Sequence, residues 1–307
     1  MSIKKRNTKS RSSLNKPAVT IVGAGAVGTT LALLLRKAHY PIASVISRKR
    51  TSARKLAQLV HCKNFSNDAA DIHPDTTILL LTVSDSSIVE VARRIAKNSK
   101  LNFKSLIICH TSGSLTSDEL RPLRLKGAAV FSLHPIQTFP ARIDVHQQLR
   151  RMKGVWYGIE GNSDAIRFAK NFVRELGGHA IIIPKEEKIL YHIACVLASN
   201  YTVALLGAVE KILRNTTLPL SLRQLQPLVT ASIENAISIG VRRALTGPVA
   251  RGDELLIRKH TAALQRFDKK ILTLYQILGM QALEMAAAEK KISARTAQQI
   301  KKLLQKK

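Results

Sequence analysis

Residues Gly23-Ala24-Gly25-Ala26-Val27-Gly28 follow directly on the apolar run Ala18-Val19-Thr20-Ile21-Val22 and lead into a helical stretch from Thr29 to Lys37. Strand, then G-x-G-x-x-G, then helix is an order that few folds can accommodate, because it sets a dinucleotide-binding turn at the carboxyl end of a buried parallel strand. Each glycine meets a separate steric demand. Gly23 allows the tight turn out of the strand, Gly25 lets the backbone approach a pyrophosphate, and Gly28 lets the helix pack closely on the sheet. The amides of Ala26 and Val27, at the positive end of the helix, are the expected phosphate donors. A tight turn that holds no ligand is the alternative the pattern leaves open.

The next strand, Pro41 to Ile46, ends where this kind of sheet meets the adenosine ribose. An NAD site usually carries Asp or Glu there, whereas an NADP site drops the acid and offers cations to the 2′-phosphate. Here the residues are Ser47-Arg48-Lys49-Arg50. A hydroxyl beside a guanidinium favours NADP, with Ser47 and Arg48 as the sensing pair, since Arg makes planar charge-assisted bonds to phosphate. A solvated basic turn is the blander reading.

Apolar runs and helical patterns keep alternating downstream, the mark of a parallel sheet with crossover helices. Strands are expected at Thr76 to Val83, Ser105 to Cys109, Ala128 to Leu133, Val155 to Ile159 and Ala180 to Ile183, with helices at Ile88 to Lys97 and Asp164 to Leu176. Asp85 or a neighbouring serine is the expected cap of the first of these helices. After Pro184 the pattern turns wholly helical: Lys185 to Arg214, Ser221 to Ile239 and Glu254 to Lys291, broken at Pro219 and Gly247-Pro248. The fold class is therefore α/β, a Rossmann-type doubly wound, mostly parallel sheet over residues 17–183, followed by an all-α domain over 184–295.

The formal net charge is +29. Much of it is terminal: residues 1–16 carry Lys4, Lys5, Arg6, Lys9, Arg11 and Lys16 with no acid, and residues 296–307 end in lysine pairs. Both segments are expected to be solvated basic tails. Such tails can bind nucleic acid by counterion release or phospholipid headgroups, and an acid-poor, Arg/Ser-rich start also suits an organelle transit peptide. No nucleic-acid motif accompanies the charge, and aromatics for base stacking are few, so nucleic acid is the less favoured partner. Part of the charge would steer anionic ligands to the protein. Cys62, Cys109 and Cys195 are far apart with no Cys-x-x-Cys pair, which points away from a disulfide framework or a metal site and toward the cytoplasm. No apolar stretch is expected to reach the roughly 18–20 residues that cross a bilayer.

Ligands of open parallel sheets bind outside the carboxyl strand ends. Those ends carry Val83-Ser84-Asp85, His110-Thr111-Ser112-Gly113 and His134-Pro135. Imidazole titrates near neutral pH, so His134 is the first candidate for proton donation or substrate contact, with His110 behind it as either a second contact or a turn brace. In the apolar helix Lys188 to Tyr201, His192, Ser199 and Asn200 need partners, either within the core or in a cleft facing substrate and nicotinamide. Arg251, in the Gly- and Pro-rich link between two helices, could bind a substrate carboxylate, while Asp253 is read as a helix cap.

The motifs Val22-Gly23-Ala24-Gly25, Val83-Ser84-Asp85, His110-Thr111-Ser112-Gly113, His134-Pro135-Ile136-Gln137-Thr138-Phe139, Tyr191-His192, Ser199-Asn200 and Leu245 through Asp253 occur in this order. Together they resemble the bacterial Rossmann-like proteins that carry the C-terminal domain of unknown function 2520. The wider relatives of that group are pyrroline-5-carboxylate reductase, prephenate dehydrogenase, ketopantoate reductase and the beta-hydroxyacid dehydrogenases. The resemblance implies a helical second domain of the 6-phosphogluconate-dehydrogenase type and a homodimer formed through it. It also implies that His134 contacts substrate, as the His-Pro histidine of prephenate dehydrogenases does, and that Asn200 matches the helical asparagine of the beta-hydroxyacid dehydrogenases. Those enzymes have a catalytic lysine four residues earlier, where this chain has Val196, and Lys188 lies about three helical turns from Asn200. The lysine mechanism is therefore not carried over.

The combined expectation is a cytoplasmic NADP-dependent oxidoreductase acting on a small carboxylate-bearing carbonyl, imine or hydroxy compound. Its cofactor residues would be Gly23, Gly25, Ala26, Val27, Gly28, Ser47, Arg48, Val83, Ser84, Asp85, Thr111, Ser112 and Gly113. His134 and Asn200 are the catalytic candidates, and His134, His192 and Arg251 the substrate contacts. The alternative is a sensor or scaffold that holds NADP without turnover and uses its tails on nucleic acid.

Overall fold

A computed structural model describes residues 16–305. From β1 (Ala18–Val22) the glycine turn enters α1 (Ala26–Lys37). The chain then alternates through β2 (Ile42–Ile46), α2 (Arg50–Leu59), β3 (Phe65–Ser66), β4 (Thr76–Leu81), α3 (Asp85–Ala96), β5 (Ile107–His110), α4 (Arg121–Arg124) and β6 (Ala129–Pro135). It continues through α5 (Val145–Arg151), β7 (Trp156–Gly161), α6 (Ser163–Glu175) and β8 (His179–Ile182). The strands pair in the order β3-β2-β1-β4-β5-β6-β7-β8. All pairs are parallel except β6 with β7. The two-residue β3 is too short to leave a periodic signal, and the sequence reading has no counterpart for it.

Strand β4 explains why the sheet is read from apolar runs rather than alternation. Successive side chains point to opposite faces, so Ile78 and Leu80 enter one core with Val19, Leu35 and Phe131, while Leu79 and Leu81 enter a second with Ile88, Ile95 and Val130. With helices on both faces, every strand residue needs to be apolar or internally bonded. Thr20 satisfies the second condition, its hydroxyl lying 2.8 Å from that of Ser44 and 2.7 Å from that of Thr76.

After β8 the described residues are helical: α7 (Lys188–Val196), a π-helical turn (Leu197–Tyr201), α8 (Thr202–Arg214), α9 (Leu222–Ile239), α10 (Val241–Ala244), α11 (Pro248–Arg251), α12 (Glu254–Phe267), α13 (Lys269–Ala288) and α14 (Ala294–Gln305). The chain divides into two compact units at Asn200 and Tyr201, later than the boundary expected at residue 183. The reason is that α7 packs with the sheet: Lys188 is buried and Tyr191 is hydrogen-bonded to His134 on β6.

Three further expectations change. The helix expected over Glu254 to Lys291 is two, because Asp268 is extended (φ −162°, ψ 115°) and its carboxylate accepts the amides of Lys270 and Ile271. The segment expected as a C-terminal tail is largely α14, whose Ile300 and Leu304 are buried with Val249, Ile257 and Leu283. The N-terminal basic stretch lies outside the described residues except for Lys16, which pairs with Glu175 at 2.8 Å. Two helical runs, Lys185–Arg214 and Lys269–Ala288, do reach the length and composition that cross a bilayer, contrary to expectation. The first of them contains Lys188, which is buried in the sheet unit.

Leu304→Ala should cost about 2–5 kcal/mol, the usual range for emptying a buried leucine site. Denaturant unfolding checks this, since a solvated tail would register no loss.

Candidate active site

The glycine turn has the geometry its sequence demands. Gly23 has φ +116°, and a Cβ there would lie 2.5 Å from the Thr82 carbonyl oxygen. A Cβ on Gly28 would lie 2.0 Å from the Gly23 oxygen and 2.4 Å from Thr82 Oγ1. Thr82 donates its hydroxyl to the Gly23 carbonyl at 2.7 Å, clamping the turn against β4. Gly25 is different: nothing lies within 4 Å of its virtual Cβ. It is exposed at the N-cap of α1, and no side chain caps the helix there. The first turn of α1 therefore has no side-chain cap and no acidic residue, and the amides of Ala26 and Val27 there fit a bound pyrophosphate.

The strand order lines up the other candidates along one sheet edge. Ser47 and Arg48 follow β2, the glycine turn follows β1, Val83 to Asp85 follow β4, Thr111 to Gly113 follow β5, and His134 ends β6. Arg48 is exposed, while Arg50 stacks over the Phe65 ring at 5.5 Å. At the β4 end the cap is Ser84, whose hydroxyl lies 2.8 Å from that of Ser87 and caps no backbone amide of the helix. Asp85 sits inside the first turn, and its carboxylate accepts the hydroxyls of Ser112 at 2.7 Å and Ser114 at 3.0 Å. Asp85 therefore braces the β5 loop and does not cap α3. Ser112 is buried, and its hydroxyl also accepts the amides of Ser114 and Leu115.

His110 turns out to be a brace. It is fully buried, with Nε2 2.9 Å from the Thr116 carbonyl and Nδ1 accepting the Ser112 amide. Burial pushes its pKa down to about 4, offset in part by the Thr116 bond. Glu160, which sequence reasoning passed over, does similar work: it is buried on β7 and accepts the amide and hydroxyl of Ser117 at 2.6 and 2.8 Å.

His134 is half-buried at the end of β6 and meets three other groups. Its Nδ1 lies 2.6 Å from the Tyr191 hydroxyl, and its ring packs edge-on against His192 with centroids 6.1 Å apart. A Cβ on Gly113 would come 2.9 Å from His134 Nε2 and 2.6 Å from His192 Cδ2, so only glycine lets the β5 loop approach both rings. Burial first, then the Lys188 charge and His192, push the His134 pKa down to about 4, against the pull of Asp85. The ring is neutral at pH 7, so the proton it can offer is the single N–H of the neutral imidazole. When the Tyr191 phenol donates to Nδ1, the ring proton sits on Nε2.

Lys188 is a residue to which sequence reasoning gave no role. It is fully buried, and its ammonium donates to Ser132 Oγ at 2.5 Å. A lysine directly before the apolar run Ile189-Leu190-Tyr191 was the available signal. Asn200 is exposed in the π-helical turn, with its Oδ1 2.8 Å from the Ser199 hydroxyl. A π turn breaks the 3.6-residue period, so the facing of Asn200 does not follow from helical spacing. Arg251 is exposed at the end of α11 in the helical unit, while Asp253 caps α12 by accepting the Leu256 amide at 3.0 Å, as expected. The sheet unit thus gathers Gly113, Ser132, His134, Lys188, Tyr191 and His192 into one cluster.

Gly28→Ala should destabilise the sheet unit by roughly 3 kcal/mol or more, since backbone must move. Gly25→Ala should fall within about 0.5 kcal/mol of the parent. Chemical denaturation of the two variants measures the contrast.

The sequence matches the Rossmann-like domain over residues 3–135 and the domain of unknown function DUF2520 over residues 155–282. Among solved structures it is similar to a Bacteroides fragilis protein assigned as an NADP oxidoreductase, with 24% identity, a TM-score of 0.72, and 87% of this chain and 98% of that one covered. A Thermotoga maritima protein is similar at 25% identity and a TM-score of 0.69, with coverage of 89% and 99%. Prephenate dehydrogenase of Aquifex aeolicus shares the fold at 16% identity and a TM-score of 0.52, with coverage of 88% and 99%. No curated protein matches the sequence. The chain belongs to the Rossmann-like proteins that carry the DUF2520 domain.

Proposed function

We propose that the protein is a soluble, cytoplasmic, NADP-dependent oxidoreductase acting on a small carboxylate-bearing carbonyl, imine or hydroxy compound. The observation that carries this reading is the order of the strand ends, which brings an open glycine turn and a histidine cluster to the same edge of one sheet. The Bacteroides fragilis relative, assigned as an NADP oxidoreductase, supports it. Gly23, Gly25 and the amides of Ala26 and Val27 hold the pyrophosphate, Ser47 and Arg48 take the 2′-phosphate, and Val83, Ser84, Thr111 and Gly113 flank the nicotinamide half. The bound cofactor supplies or accepts a hydride. His134 contacts the reacting oxygen or nitrogen as a neutral ring, stabilising charge that develops there. His192, Asn200 and Arg251 are the further substrate candidates.

His134→Ala should cut turnover by about 10²-fold or more, the scale of losing one aimed donor, while NADPH affinity stays unchanged. The assay is NADPH consumption across 2-oxo acids, cyclic imines and hydroxy acids. Equal turnover removes His134 from the mechanism, and tight NADPH binding with no turnover on any substrate favours a non-catalytic NADP sensor.

We also propose that the protein is a homodimer. Leu190, Val203, Leu228 and Ile237 are 69%, 69%, 65% and 81% exposed. Leu205, Val209, Ile212, Leu264 and Leu278 line an apolar cleft of about 340 Å³ in the helical unit. A soluble single copy rarely leaves so much apolar surface in water. Light scattering should give twice the 33.8 kDa chain mass, and Ile237→Glu should return the single-chain mass.

A further inference from the structure

Lys188 is placed where a lysine is least comfortable. It is fully buried, donates one hydrogen bond among the described residues, and opens α7, whose N-terminal dipole repels a cation. Its position relative to His134 is set by matching periods. Ser132 and His134 are two apart on β6 and share a face of the strand. Lys188, Tyr191 and His192 are three and four apart on α7 and share a stripe of the helix. The two rows meet pairwise: Lys188 on Ser132 at 2.5 Å, Tyr191 on His134 at 2.6 Å, and His192 edge-on to the His134 ring.

We propose that Lys188 is a positioning residue whose ammonium, seated on Ser132 two residues from His134, acts together with burial to keep that imidazole uncharged, so that it meets substrate as a neutral hydrogen-bonding ring. The role in turnover rests on the oxidoreductase reading, whereas the charge relation does not. The titratable and charged groups that face His134 are Lys188, Tyr191 and His192 from α7 and Asp85 from α3. Asp85 draws a proton toward the ring while burial, Lys188 and His192 oppose it, so removal of Lys188 shifts the balance toward Asp85. Lys188 itself is held down to about 8 by burial, against the pull of Glu160 and Asp85. At neutral pH it remains mostly the cation that this role needs.

The sign of the stability effect follows from linkage. Because the folded pKa of Lys188 lies below its ordinary 10.5, the unfolded chain binds more protons between about pH 8 and 10.5, and stability rises with pH across that window. A charged Lys188 thus works against folding at pH 7. Lys188→Met, similar in size and apolar, should fold at least as well and lose that rise.

The test is a titration of the full chain labelled with ¹⁵N at histidine, without cofactor or substrate, the His134 signal being assigned from its loss in His134→Gln. In the parent protein the ring should stay neutral at pH 6. In Lys188→Met its midpoint should move up by about one pH unit. An unchanged midpoint, or a parent ring protonated at pH 6, overturns the proposal. So does a Met variant that fails to fold, because the ammonium bond to Ser132 would then be a structural tie. If the titration behaves as expected and NADPH turnover is absent, the oxidoreductase reading fails while the charge relation stands.

Discussion

The contact between the glycine turn and Thr82 carries the rest of the sheet unit. Gly28 packs its helix onto the backbone of Gly23, and Thr82 closes the crossing from β4 with a hydroxyl bond of 2.7 Å. No side chain fits at either glycine, so β1, α1 and β4 are locked at one separation. That lock fixes where the amides of α1 open, and where the neighbouring strand ends stand relative to them. Gly25 alone among the three glycines faces empty space, which makes it the position at which a ligand and the fold place different demands on the chain.

The same edge then divides its chemistry by strand. A guanidinium follows β2, free amides follow β1, a carboxylate tied to two serine hydroxyls follows β4, and a histidine ends β6. Polar groups at these ends are of two kinds. Asp85, Ser112, His110 and Glu160 spend their bonding capacity on one another and on loop backbone, which makes the β5 loop rigid. His134 keeps Nε2 near Gly113, with its other nitrogen held by Tyr191. Rigid loops beside one ring with an uncommitted edge are the arrangement that positions a reacting group.

Electrostatics at His134 come from opposed partners. Burial and Lys188 act against the imidazolium while Asp85 acts for it, and the first two prevail. A neutral ring at pH 7 is suited to hydrogen bonding, and less suited to the proton donation that its residue type suggests. The tie of α7 to the sheet through Lys188 and Tyr191 is also what moves the boundary between the units from the end of β8 to Asn200.

The sequence by itself determined the dinucleotide turn, the parallel sheet, the helical second unit and the family, because glycine sterics, apolar runs and helical periods are local and each leaves its mark within a few residues. The Asp253 cap was legible for the same reason. Tertiary structure alone decided which polar residues are braces and which are available. Asp85 reads as a cap until Ser112 and Ser114, about 27 residues on, are seen to claim its carboxylate. The lysine-rich C-terminus reads as a tail until Ile300 and Leu304 find their core. Lys188 reads as the polar start of a helix until Ser132, 56 residues earlier in the chain, is seen to hold its ammonium. Such roles depend on contacts between distant segments, and burial, which lowers the pKa of both His134 and Lys188, exists only once those segments have met.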